Sequence, residues 1–111
     1  MRQDIKELID AMQRGWNKYP HNTNIGTKQK IGNKIGLCPV AHALIGVGVN
    51  VDDVEKNLFV ARKYLPVLQH QKVLNCHGEQ YSLDSMIIHL ADNYNWTTPQ
   101  VIEWLKSHLN D

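Results

Sequence analysis

No run of apolar residues in this sequence approaches the roughly 18 that a membrane-spanning helix requires. The longest, Val40 to Val49, is interrupted by His42, Gly46 and Gly48. The first ten residues, MRQDIKELID, place acids early and lack the apolar stretch of a secretion signal, so a cytoplasmic location is expected and no membrane partner. Cysteine is scarce. Cys38 and Cys76 are expected to be free thiols in that compartment. They form no C-x-x-C pair and the histidines form no H-x-x-x-H pair, so neither a structural zinc nor another cofactor is expected. No G-K-[ST] opens a helix, which excludes the common phosphate loop. Glycine and proline are too few for a low-complexity segment, and no internal repeat points to a solenoid.

What is present suits one folded domain over residues 1–111. Hydrophobic residues make up 42% of the chain, enough for a core. Ile5, Leu8, Ile9 and Met12 fall at helical spacing and predict a helix over about 3–15, with Gly15 near its end. Cys38-Pro39 opens a second helix, because proline suits a first turn whose N–H needs no partner. Asp52 is placed to start a third, which Pro66 stops. Residues 66–81 read as a connector with at most a helical turn at Val67 and Leu68, and with Val73 and Leu74 tucked in. Ser82 starts a fourth helix carrying Leu83, Met86, Ile87 and Leu90. Thr97 and Gln100 form a capping box for the last. The expected fold class is all-α, an irregular bundle of four to five helices, with Leu8, Leu44, Leu58, Leu90 and Leu105 buried together. Residues 20–36, PHNTNIGTKQKIGNKIG, are either a long ordered loop or a short hairpin at about 24–36.

The net charge of +1 gives no global pull toward nucleic acid, but the charge is uneven. Residues 18–36 hold four lysines and no acid, and residues 82–111 hold four acids against Lys106. Residues 87–106, IIHLADNYNWTTPQVIEWLK, have the spacing of a helix-turn-helix, with Ala91 at the helix contact, Asn95 at the turn and Val101 beyond it. Its reading face would present Thr97, Thr98 and Ile102 to DNA, but it has one carboxylate, Glu103, and no cation near its start. Phosphate contacts supply most non-specific affinity, so nucleic acid is disfavoured as partner. Cys38 at a helix start suits a nucleophile, and it shares a helix face with His42. His77, His89 and Asp92 are other candidate partners, and spacing selects none of them.

Cys38-Pro39-Val40-Ala41, together with Ala91-Asp92, Asn95-Trp96-Thr97 and Val101, resembles a family of small, functionally uncharacterised bacterial and phage proteins. That family shows Cys-x-Leu-Gly-Ala-Leu near its middle and Asn-Asp, a turn and Thr-x-x-x-Val near its end. The chain departs from it at His42 and at Ala91, where the family has Asn. The resemblance implies a compact helical fold and no assigned activity.

The function expected is therefore non-enzymatic: a helical module that binds another macromolecule, a protein. Its contact is expected at Ile25, Lys28, Lys30, Ile31 and Lys34, where lysines flank adaptable Ile-Gly steps. The alternatives are a helix-turn-helix regulator at 87–106 and a metal- or cysteine-dependent activity centred on Cys38.

Overall fold

The computed structural model describes residues 2–23, 26–57 and 61–109. Helix α1 (Gln3–Lys18) buries the expected stripe of Ile5, Leu8, Ile9 and Met12. A hairpin follows, β1 (Lys28–Ile31) with β2 (Lys34–Leu37), and leads through Cys38 into α2 (Pro39–Gly46). Three short helices, α3 (Val54–Asn57), α4 (Ala61–Tyr64) and α5 (Val67–His70), precede a second hairpin of β3 (Lys72–Leu74) and β4 (Gln80–Ser82). Helices α6 (Leu83–Tyr94) and α7 (Thr98–His108) complete the chain. No helix among the described residues is long and apolar enough to cross a membrane.

The all-α expectation is wrong, because two antiparallel hairpins are part of the fold. The first falls, all but Leu37, in the segment 20–36 that the sequence leaves open between loop and hairpin, and Gly32 at φ 61° makes its turn. The second replaces the expected connector. Its strands of three residues are too short to show alternation, and its signal is in the turn. Asn75 Oδ1 accepts the amides of His77 and Glu79, both at 2.9 Å, and Gly78 takes φ 79°. Val73 packs on the core as expected, but Leu74 is exposed.

Helix α2 is the centre of the molecule. Every residue from Pro39 to Ile45 is buried, so it behaves as a helix wrapped on all sides. It meets α1 with almost nothing between the backbones. A Cβ on Gly15 would stand 1.8 Å from the His42 carbonyl oxygen, and one on Gly46 would stand 1.8 Å from that of Ala11. Gly15 thus does not end α1 but lets α2 approach it. Leu8, Leu44 and Leu105 join the main core; Leu90 is buried apart from it, and Leu58 lies outside the described residues. Arg62 ties α4 to α6 through a forked pair with Asp84, at 2.6 and 3.2 Å.

The glycine contact sets the first expected outcome. Gly46→Ala forces the two helices apart and should lower stability by about 3 kcal/mol or more in a urea titration. A loss under about 0.5 kcal/mol would mean that the helices are not held this closely.

Candidate functional site

A burial of α2 on all sides leaves its one polar side chain, His42, in need of partners. The Nε2–H donates to the Tyr19 carbonyl at 2.8 Å, which makes Nδ1 the acceptor for the Thr98 hydroxyl at 2.7 Å. Asn22 Nδ2 donates to Thr98 Oγ1 and to the Leu37 carbonyl, both at 2.9 Å, and Asn22 Oδ1 accepts the Thr98 amide at 3.0 Å. One network thus joins the end of α1, β2, α2 and α7. It also holds residues 21–23 parallel to β2, where Asn22 pairs with Leu37. The closeness of that pairing explains Gly36, whose Cβ would lie 2.7 Å from the Asn22 carbonyl oxygen.

Asn22 also lines a cleft of about 310 Å³, walled by residues from four places in the chain. The first turn of α2 gives Cys38, the segment before β1 gives His21, the end of α6 gives Asp92 and Asn95, and Trp16 and Trp96 stand as aromatic walls. Cysteine, imidazole and carboxylate therefore share one cleft, although spacing in the sequence selects no partner for Cys38. His21 was missed because it is remote from Cys38 in sequence; the strand pairing of Asn22 with Leu37 is what brings it near.

The thiol in the cleft and the buried imidazole beside it are both held in their neutral forms. Cys38 is buried, and burial, with the Asp92 charge adding to it, pushes the thiol up to about 11. Its Sγ accepts the Ala41 amide at 3.4 Å and caps α2. Burial pushes His42 down to about 4, and both its ring nitrogens are engaged, so it is not a base or metal partner for Cys38. Among the described residues no three of His, Cys, Asp or Glu are grouped to hold a metal ion. His89 lies elsewhere, edge-on to Tyr81 and Tyr94, and His77 sits in the β3–β4 turn.

The helix-turn-helix spacing gives a real helical corner. Asn95 takes the left-handed conformation at φ 55°, and the Thr97–Gln100 capping box forms. Its reading face points the wrong way. Thr98 and Ile102 are buried, and only Thr97 of the three candidate DNA contacts is exposed. The outer face of α7 instead carries a shallow groove between Trp96 and Trp104, with Trp104 stacked on His108 at 5.0 Å.

The lysine segment is split by the hairpin. Lys28 is half-buried and reaches Asp52 Oδ1 at 3.8 Å and the Val51 carbonyl at 3.5 Å. Lys30 and Lys34 are exposed, and Ile31 is 42% exposed. Ile25 lies outside the described residues.

Two outcomes follow from these environments. The folded chain keeps His42 neutral to a lower pH than the unfolded chain does, so stability is unaffected by this group above about pH 6.5 and falls as pH drops from there toward about 4. The loss should reach about 3 kcal/mol at most, and His42→Gln should flatten that part of a stability–pH profile. Iodoacetamide at pH 8 should modify the exposed Cys76 at least about 100 times faster than Cys38. The Cys38 rate should continue to rise to about pH 11. Equal labelling of the two thiols in a mass-spectrometric time course would contradict the burial.

No family model matches this chain, and neither the curated proteins nor the solved structures contain a significant match to it.

Proposed function

We propose that the chain is a non-enzymatic, cytoplasmic module that binds a partner protein through the β1–β2 hairpin. The observation that carries this reading is Ile31, 42% exposed on β1 and paired across the hairpin with Lys34, beside exposed Lys30. An apolar anchor flanked by lysines suits an acidic partner surface: the lysines speed the encounter and the isoleucine is desolvated on contact. Ile35 and Leu37 fix the hairpin to the core from the other strand, so little conformational freedom is lost on binding. Lys28 is less available than its neighbours, since Asp52 already faces it.

The second reading is a cysteine-dependent activity. The presence of His21 and Asp92 in the cleft with Cys38 favours it, and the buried, protonated thiol opposes it. The helix-turn-helix alternative is opposed by the burial of Thr98 and Ile102.

The test is affinity capture from host lysate, with and without nuclease, using the wild type and a Lys30→Glu, Lys34→Glu double variant. The wild type should retain a protein that nuclease does not release. The variant should fold with stability within about 0.5 kcal/mol of it, and should lose association rate by about tenfold or more at low salt. Retention that depends on nucleic acid, or unaltered kinetics in the variant, would refute the reading.

A further inference from the structure

The cleft over Cys38 has a chemistry that the hairpin reading leaves unused. Its aromatic walls are two half-buried indoles, Trp16 and Trp96. Among the described residues that line it there is one carboxylate, Asp92, and no lysine or arginine. Asp92 is exposed and makes no ion pair among the described residues. Asp92 also sits in the last turn of α6, which has no basic residue to offset the negative end of the helix dipole.

Two helix starts, those of α2 and α7, also border the cleft, and by themselves they would favour an anion. Most of their donors are already taken. Pro39 and Pro99 have no N–H to offer. The Ala41 amide goes to Cys38 Sγ, the Thr98 amide to Asn22 Oδ1 and the Gln100 amide to Thr97 Oγ1. An anion would meet Asp92 with those amides spent. A cation would meet a carboxylate, the α6 carboxyl end and two electron-rich ring systems.

We propose that the cleft binds a cationic head group, a guanidinium or substituted ammonium, between Trp16 and Trp96 with Asp92 as counter-ion. A volume of about 310 Å³ admits one such group and a short stem. Asp92 supplies the charge and the indoles the desolvated contact. Asn22, bonded to Thr98 and through it to His42, lines the cleft, and Trp16 meets His42 edge-on, which keeps these walls in place before the ligand arrives. The cation has two sources, an arginine side chain of a partner or a free quaternary ammonium. The inference is independent of the hairpin reading, since it draws on different residues.

The test is a 15N NMR titration of the full chain at pH 8 with three probes: Nα-acetyl-argininamide, its neutral isostere Nα-acetyl-citrullinamide, and tetramethylammonium. Trp16 and Trp96 indole N–H signals should move with the cations, while that of Trp104, outside the cleft, stays. Tighter binding of the arginine probe assigns the site to a partner's side chain, and tighter binding of tetramethylammonium assigns it to a free ammonium. Asp92→Asn, at an exposed position, should keep the folded spectrum and weaken cation binding about tenfold or more. The proposal fails if no cation shifts Trp16 or Trp96 by about 10 mM. It fails equally if citrullinamide binds as well as argininamide, or if Asp92→Asn binds as the wild type does.

Discussion

The contact between α1 and α2 is the constraint on which the rest of the structure depends. Gly15 against the His42 carbonyl and Gly46 against the Ala11 carbonyl bring the helix backbones together with no side chain between them. Such an approach maximises dispersion contact per residue, but it leaves no room for adjustment. It also fixes what surrounds α2. With α1 this close on one face, α3, α4, α6 and α7 cover the others, and every residue from Pro39 to Ile45 is withdrawn from water.

That withdrawal makes His42 consequential. A buried imidazole without partners would cost several times the thermal energy. The fold answers with donors and acceptors from three other segments, and each polar atom of the His42, Thr98 and Asn22 side chains is engaged. Such a network positions, since all its members must be in place together. Asn22 of this network lines the cleft and Trp16, another of its walls, meets His42 edge-on, so the arrangement that satisfies His42 also braces the site. The same burial keeps the Cys38 thiol protonated and spends its lone pair on the Ala41 amide. A nucleophile needs the opposite environment, with a nearby cation and access to water. The cleft is thus better arranged to hold a ligand than to attack one.

Much of the helical framework is legible in the sequence because its signals are local. The Ile5–Met12 stripe, Pro39 after Cys38, and the Thr97–Gln100 box each act within one or two turns, and each appears where its spacing places it. Asn95 is readable as a turn residue for the same reason. Features that depend on distant residues are not readable. Nothing near Gly15 reveals that the His42 carbonyl lies against it, so the glycine looks like a helix end. Nothing near Thr98 reveals that its hydroxyl serves His42, so it looks like a surface residue of a recognition helix. Of the cleft, Cys38 and Asp92 are visible as reactive types, while His21 is brought in only by the parallel pairing of residue 22 with residue 37. The second hairpin is hidden for another reason: three-residue strands carry too little pattern, and the Asn75 and Gly78 turn chemistry is the only trace.

The distribution of lysine on the hairpin also bears on what could pair with its outer edge. In β1, Gln29 and Ile31 face Gly36 and Lys34 across the hairpin. The Leu37 amide and carbonyl turn away from β1 to bond the 21–23 segment. Alternation of an antiparallel ladder then directs the amides and carbonyls of Lys28 and Lys30 to the outer edge. An open edge invites pairing with any extended chain, including a second β1. Antiparallel pairing of two β1 edges would bring their lysines together, and like charges opposed across a ladder are destabilising. The same lysines leave the edge compatible with an acidic strand. On the proposed reading, lysine on this strand would select by exclusion as much as by attraction, disfavouring a second β1 while leaving the edge to a partner of opposite charge.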